Sequence, residues 1–277
     1  MVKISDKQYY LIMGGIVVLT VFGVWYDQYL RNDNPTYAAR PLSDDDIKKY
    51  SNTDENAVVI YPIFTQIAYK YDGFYPPTTE FSYPYHTIVS MKPLGINGSY
   101  VTGWSGFQVL QQLHYPVITD ILVDRHPEIL KDYDEVILLH NEYMTKAEFE
   151  AVKNHPHVLY LYPNSAYAEI SVDYKNWTMT LIRGHGYPTK DIANGFGYIT
   201  SSNHEYDLEC KNYKWKQMPN GIQPTCWPEF LIKSDRSVLQ VIKDFPDKLP
   251  PLAKPSSINS TYIDRCNQYG YCPNDKT

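Results

Sequence analysis

The chain has 277 residues, which is enough for one domain of good size with additional segments. Its formal net charge of -6 and the lack of a basic stripe argue against a protein that binds nucleic acid. The 27 tyrosines, against 9 phenylalanines, favour half-buried polar surfaces or an aromatic cleft, although a compositional habit of the source organism explains them equally well.

The first predicted element is a membrane-spanning helix. Residues 9–26 are an uncharged, mostly apolar run with aromatic residues at both ends, and as a helix they would span roughly 27 Å, close to the thickness of the hydrocarbon layer. Lys3 and Lys7 precede the run and Asp27 and Asp33 follow it, so the charge bias places the N-terminus in the cytoplasm. A cleaved signal peptide is the alternative, but it would need small residues directly after the run, and there are none. We therefore expect a single-pass protein of the cell membrane whose main domain is extracytoplasmic.

Composition divides the chain into four segments. A polar stretch with two prolines and an acidic run follows the anchor, and it is typical of a linker in which Ser43 starts a short helix. The C-terminal stretch contains five prolines and is expected to be extended. The predicted segments are an anchor at 1–31, a linker at 32–56, an extracytoplasmic α/β domain at 57–245 and a proline-rich, disulfide-containing tail at 246–277.

Short apolar runs alternate with helical patterns in the main domain. This alternation, at these spacings, predicts parallel βαβ units and a parallel sheet of four or five strands. The predicted strands are 57–61, 116–119, 136–139 and 158–162, and the predicted helical segments are 106–113 with Ser105 as its cap, 127–130 and 145–154.

The remaining segments are less regular. The runs 168–173 and 177–183 are rich in β-forming residues and predict an antiparallel hairpin. The Tyr- and Pro-rich stretch 69–85 predicts a loop, either a plain surface loop or a lid over a crevice. From Gly184 the chain is expected to be irregular until a helix near 237–243.

The four cysteines support an external location. They are Cys210, Cys226, Cys266 and Cys272. Local pairing of neighbours is the simplest of three connectivities, and the first bridge would stabilise the fold by roughly 3 kcal/mol. A zinc site is the alternative, but no Cys-x-x-Cys pair is present. Three sequons permit glycosylation outside the cell, at Asn97, Asn176 and Asn259.

The strand at 136–139 ends at the polar and aromatic run His140–Tyr143. Thr145 then begins a helix as its N-cap, and Glu148 three positions later completes a capping-box pattern. In open α/β sheets, ligands bind beyond the carboxyl ends of the strands. The run His140–Tyr143 is therefore the best candidate in the sequence for a functional site.

The stretch 117–162 resembles a known enzyme family. Residues 124–134 follow the pattern Asp-x-x-Pro-x-x-Leu-x-x-Tyr-Asp, and the next strand ends in His-x-Glu-Tyr. This arrangement resembles the class I glutamine amidotransferase-like domain at the C-terminus of the N,N-dimethylformamidase large subunit. The resemblance implies a three-layer α/β domain with a site for amide-type small molecules.

Most of the chain also resembles a group of archaeal membrane-anchored proteins, a resemblance that implies no particular activity. It is based on the runs 138–143, 160–164, 181–188 and 226–229.

The sequence departs from the enzyme family in one decisive respect. Amidotransferases of this fold place a nucleophilic cysteine at a turn between strand and helix, but no cysteine precedes Cys210, so thiol-based glutamine hydrolysis is excluded. The formamidase relatives hold an iron with Tyr and Glu side chains. This implies iron or another divalent metal with Tyr143 as a ligand and Glu142 beside it, while no motif places the remaining ligands.

A hard cation or iron would need three or more ligands from different loops. The candidate donors lie at strand ends or in turns, and they are His140, Glu142, Tyr143, His185 and Glu229. Each also has an ordinary structural explanation, such as a backbone-bonded histidine, helix-start electrostatics or a disulfide corner. Arg183 and His185 share a Gly-rich turn that would suit a carboxylate or phosphate, although such a turn often only ends a hairpin.

Two functions remain open from the sequence. One is a metal-assisted, hydrolase-like enzyme with His140, Glu142 and Tyr143 as its catalytic candidates. The other is a non-catalytic domain of the cell envelope that binds a small ligand or a partner protein. The sequence slightly favours the second, because packing explains most of the matched residues.

Overall fold

The computed structural model describes residues 42–52, 56–75, 84, 86–96, 98, 100–198 and 202–247. The predicted membrane anchor, the proline-rich tail with Cys266 and Cys272, and the sequons at Asn97 and Asn259 lie outside these residues. Within them, no helix is both long and apolar enough to cross a membrane.

The described residues form ten strands and seven α-helices. The strands are β1 (Ala57–Tyr61), β2 (Ile88–Ser90), β3 (Val117–Thr119), β4 (Glu135–Leu138), β5 (Tyr143–Thr145), β6 (Val158–Tyr160), β7 (Ala168–Asp173), β8 (Thr178–Arg183), β9 (Trp215–Met218) and β10 (Gly221–Pro224). The helices are α1 (Asp44–Tyr50), α2 (Ile63–Ala68), α3 (Trp104–Gln112), α4 (Asp120–Arg125), α5 (Lys146–Asn154), α6 (Leu231–Ser234) and α7 (Arg236–Asp244). Short 3₁₀ helices lie at Tyr100–Thr102, Pro127–Asp132 and Ser202–Tyr206.

The larger sheet has the strand order β3-β1-β4-β6-β10-β9. Its first five strands pair in parallel, and only β9 runs antiparallel to its neighbour. The prediction of a parallel α/β sheet is therefore confirmed. The β9–β10 edge is new, because the sequence predicts irregular structure there.

The middle strands are buried on both faces, as their continuous apolar runs predict. In β1, Val59 and Tyr61 contribute to one hydrophobic cluster, while Val58 and Ile60 contribute to another. Side chains alternate in the same way along β4 and β6. Apolar packing on both sides thus fixes the position of the strand ends where the candidate residues lie.

A second sheet has the order β2-β8-β7-β5. Its centre is the predicted hairpin of β7 and β8, which is confirmed as antiparallel. Strand β5 begins at Tyr143 and pairs in parallel with β7. The run His140–Glu142 therefore joins the two sheets, β4 of the first to β5 of the second.

The helix starts agree only partly with the predictions. Thr145 caps α5 as predicted, because its hydroxyl accepts a 3.2 Å hydrogen bond from the backbone N–H of Glu148. The prediction that Ser105 caps α3 is wrong. That helix begins two residues earlier, after Gly103, whose φ of 73° suits glycine and where a Cβ would lie 2.5 Å from the ring of Tyr162.

The second half of the predicted linker packs on the main domain. Ser43 and Asp46 form a reciprocal capping box at the start of α1. Asp46 also accepts a 2.9 Å hydrogen bond from the guanidinium of Arg236, in α7, and Tyr50 is buried. Helix α1 is thus the first element of the fold in the part of the chain that the structure describes.

The local pairing of Cys210 with Cys226 is confirmed, with their Cα atoms 5.3 Å apart. The sequon residue Asn176 is exposed in the turn between β7 and β8, where its amide donates a 2.7 Å hydrogen bond to Asp173.

Glu148 in α5 is a fully buried carboxyl group beside the side-chain amide of Asn141. Burial, followed by the charges of Asp120 and Asp124, raises the pKa of Glu148 well above its ordinary value of 4.5. As the pH rises, the unfolded chain therefore loses this proton before the folded chain does. Folding stability should fall from about pH 4.5 up to the folded-state pKa, by about 1.4 kcal/mol for each unit between the two values.

The variant Glu148→Gln keeps the shape of the side chain but does not titrate. We expect it to be more stable than the wild type at pH 7, with the advantage disappearing by pH 4, as measured by urea unfolding at both values. Glu150→Gln, in the same helix but on a side chain that is 40% exposed, is the matched control. An advantage of Glu148→Gln that is the same at both pH values would contradict this account.

Candidate functional site

The run His140–Glu142 lies at the carboxyl end of β4 and is held on two sides by hydrogen bonds. The backbone carbonyl of Asn141 accepts from the N–H of Ala166 at 2.8 Å. The backbone N–H of Glu142 donates to the hydroxyl of Thr65 at 3.0 Å. Neighbouring elements therefore determine where the side chains of His140 and Glu142 point.

Three potential ligand groups converge at this position. They belong to His140, Glu142 and Glu205, and one ligand atom from each lies within 4.8 Å of the others. Glu142 is fully buried, His140 is nearly so, and Glu205 is half-buried. The first two follow β4, whereas Glu205 comes from the 3₁₀ helix Ser202–Tyr206. The sequence analysis missed Glu205, and no local pattern marks it.

The hydrogen bonding of His140 determines which of its ring nitrogens carries the proton. Nδ1 lies 2.6 Å from the carbonyl oxygen of Val101, and a carbonyl can only accept, so Nδ1 is the donor. Burial lowers the pKa of His140, so the ring is neutral and Nε2 has a free lone pair. That lone pair faces Oε2 of Glu142 at 3.8 Å. Two buried acceptors that lie close together without a hydrogen between them repel each other. A cation bound between them would remove this repulsion.

His185 reaches the same cluster from the turn after β8. Its Nε2 lies 2.8 Å from Oε1 of Glu142, within hydrogen-bond distance of that carboxylate. The side chain is 20% exposed, so this ring forms the open side of the cluster. The backbone of His185 has a positive φ of 53° between two glycines.

The two carboxylates of the cluster differ in pKa. Burial opposes ionisation of Glu142, but its interactions with His185 and then with His140 favour the ionised form and outweigh burial, so its pKa is lowered. Burial, and then the negative charge of Glu142, raise the pKa of Glu205 to about 7. A bound cation would relieve the repulsion between the two carboxylates.

Tyrosines surround the cluster, as the composition suggested. The rings of Tyr75, Tyr143 and Tyr167 lie 4.7 to 5.6 Å from the ring of His185. The hydroxyl of Tyr143 is buried, and Tyr69 and Tyr75 are its hydrogen-bonding neighbours. Burial, followed by the charges of Tyr69 and Glu142, raises the pKa of Tyr143 well above its ordinary value, which keeps the hydroxyl protonated.

The other two sequence candidates have protein partners of their own. The Nε of Arg183 donates a 2.7 Å hydrogen bond to Glu169, so the guanidinium expected to bind an anion is ion-paired. Glu229 accepts hydrogen bonds from the backbone N–H of Ser105 at 2.9 Å and from the hydroxyl of Tyr162 at 2.7 Å. Glu229 is not in the converging group, because its carboxylate holds the start of α3 instead.

No protein-family model matches the sequence, and no curated protein matches it either. The geometry of the cluster is therefore the main ground for a functional proposal.

Proposed function

We propose that the chain is a metal-dependent hydrolase of small amides, with a divalent cation held by His140, Glu142 and Glu205. The observation that carries this proposal is the lone pair of a buried, neutral imidazole directed at a buried carboxylate, with a second carboxylate in reach. An ordinary packed core would place a donor, and not a carboxylate, opposite such a lone pair.

The donor set suits a transition metal or zinc. Imidazole nitrogen and carboxylate oxygens are ligands of zinc, iron and manganese, and three protein ligands leave coordination positions for substrate. The second ring nitrogen of His140 donates to a backbone carbonyl, which is the usual support for a metal-binding histidine. Tyr143, which the family resemblance implies as a ligand, lies at the same cluster.

A divalent cation bound there would act as a Lewis acid toward an amide carbonyl. The chain supplies the proton transfers. Oε1 of Glu142 lies 2.8 Å from Nε2 of His185, so Nδ1 is the ring nitrogen that would exchange a proton with the substrate. His185 would take a proton from the attacking water and return it to the amine nitrogen as the C–O bond forms and the C–N bond breaks. The protonated hydroxyl of Tyr143 would donate to the carbonyl oxygen, where negative charge develops.

The sheet and the disulfide bridge support the same proposal. A mostly parallel sheet with its site beyond the strand ends supports the likeness to the three-layer, amidotransferase-like domain of the formamidase large subunit. The Cys210–Cys226 bridge supports a location outside the cytoplasm, where the predicted anchor would hold the domain at the membrane. A binding domain of the cell envelope is the second candidate. Such a binding domain does not need imidazole and carboxylate groups to converge, so their convergence favours the enzyme.

This function is tested by measuring whether the metal-loaded protein hydrolyses a panel of small primary and N-alkyl amides. We expect His185→Gln to lower kcat/KM by about 100- to 10,000-fold, the range of a general acid–base group, while metal affinity changes by less than about threefold. His126→Gln changes a histidine with a 57% exposed side chain, paired with Glu128, and serves as the control. Absence of hydrolysis by the loaded wild type, or full activity in His185→Gln, would argue against the enzyme.

A further inference from the structure

We propose that Asn164 is the positioning residue for Glu205, fixing this carboxylate beside His140 and Glu142. The inference rests on the proposed metal site and adds to it a residue that itself binds no metal. Asn164 is 1% exposed, and its Nδ2 donates a hydrogen bond to Oε2 of Glu205, whose other hydrogen-bonding neighbour is the exposed Tyr206 of the same 3₁₀ helix.

The turn that carries Asn164 is attached directly to the turn that carries the other two ligands. Asn164 lies just after β6, next to Ser165, whose hydroxyl donates to the carbonyl of Leu139 at 3.0 Å. The N–H of Ala166 donates to the carbonyl of Asn141 at 2.8 Å. Asn164 is therefore fixed relative to His140 and Glu142, and its hydrogen bond to Glu205 fixes that carboxylate relative to them as well.

Glu205 needs such a partner because it comes from a different part of the chain. It is half-buried and close to the negative charge of Glu142, which favours movement of the Glu205 side chain toward solvent. A neutral amide donor opposes this movement without neutralising the carboxylate, so the charge remains available for a cation. Supporting hydrogen bonds of this kind are worth about 10- to 100-fold in metal affinity.

The backbone at this position suits asparagine. Asn164 has a φ of 61°, in the left-handed region that asparagine and glycine tolerate better than other residues. Asn164→Gly therefore removes the amide without straining the backbone, and Asn164→Asp keeps the shape but replaces the donor by a carboxylate. Ala166 in the same turn has a φ of 57° and is also 1% exposed, so Ala166→Gly is a matched control for increased backbone freedom.

The test is the affinity of each full-length, metal-free variant for Zn²⁺, measured by competition with a chromophoric chelator. We expect Asn164→Gly and Asn164→Asp to bind about 10- to 100-fold more weakly than the wild type, and Ala166→Gly to bind within about threefold of it. In a Glu205→Gln background, Asn164→Gly should have no further effect, because its influence passes through the carboxylate. A purely structural role would instead lower the apparent Tm and leave the double-mutant effects additive.

The outcomes separate the two proposals. If the wild type does not bind Zn²⁺, the proposed function fails and this inference fails with it. If the wild type binds and Glu205→Gln weakens binding, but both Asn164 variants bind as the wild type does, the positioning role alone is overturned. Should Asn164→Gly fail to fold, Asn164→Asp with the same readouts decides the question.

Discussion

The variant Glu142→Gln is expected to bind a divalent metal about 100-fold more weakly than the wild type. Zinc sites with four protein ligands are worth about 10 to 16 kcal/mol, so one ligand contributes roughly 3 kcal/mol, or about two powers of ten in affinity. Glu142 faces two imidazoles, with Oε2 toward His140 and Oε1 toward His185. Replacing one oxygen by an NH₂ group removes the negative charge and puts a donor where a lone pair is needed.

The same substitution should leave the metal-free protein intact. Burial opposes the charge of Glu142 and its interactions with the neighbouring imidazoles favour it, so the charge makes only a modest net contribution to the stability of the metal-free fold. We therefore expect the free energy of unfolding without metal to change by less than about 1 kcal/mol. Glu169→Gln is the control, because Glu169 is a buried carboxylate paired with Arg183 outside the cluster. Equal metal affinities for Glu142→Gln and Glu169→Gln in chelator competition would contradict the proposed ligand set.

Removal of the Cys210–Cys226 bridge should have the largest effect on stability. The cysteines are 16 residues apart, and a loop of this size gives about 3 kcal/mol in the chain-entropy account of disulfides. The double variant Cys210→Ser, Cys226→Ser should therefore unfold at lower urea concentration by this amount. Reductant should destabilise the wild type similarly but have little effect on the variant.

The bridge also connects two parts of the site, so we expect metal affinity to fall with it. It ties the segment that follows Glu205 to Trp227, whose backbone N–H donates to the carbonyl of Asp207 at 2.8 Å. The ring of Trp227 lies 4.6 Å from that of His140, in an edge-to-face contact. A double variant with unchanged urea unfolding and unchanged metal affinity would show that hydrogen bonds and packing alone hold these segments.

The central sheet was predictable because its strands carry their own signal. The runs at 57–61 and 136–139 are wholly apolar, and a strand buried on both faces requires this pattern. Strand β5 escapes prediction because it has only three residues and ends at Thr145, which is also the cap of α5. Strand β10 and the edge strand β9 contain Trp, Lys, Gln and Pro instead of an apolar run, and they are defined by the pairing of β10 with β6 and of β9 with β10.

The site was predictable only where its residues follow a recognisable element. His140 and Glu142 follow a buried strand, and His185 lies in a Gly-rich turn. Glu205 is 63 residues beyond Glu142 and becomes part of the cluster only through tertiary structure. Glu229 has a sequence setting as suggestive as theirs, yet its carboxylate accepts two hydrogen bonds from the protein. Sequence spacing cannot show which carboxylates converge with other ligand groups and which accept hydrogen bonds that hold a neighbouring element.

A calorimetric titration of the metal-free protein with Zn²⁺ at pH 6 and pH 8 tests the central claim most directly. Glu205, with a pKa of about 7, must lose its proton before it can bind a metal, so affinity should rise with pH across this range. The account predicts one saturable site for each chain, with an affinity about tenfold higher at pH 8, and loss of that site in Glu142→Gln. No saturable binding, or a site that Glu142→Gln retains unchanged, would contradict it.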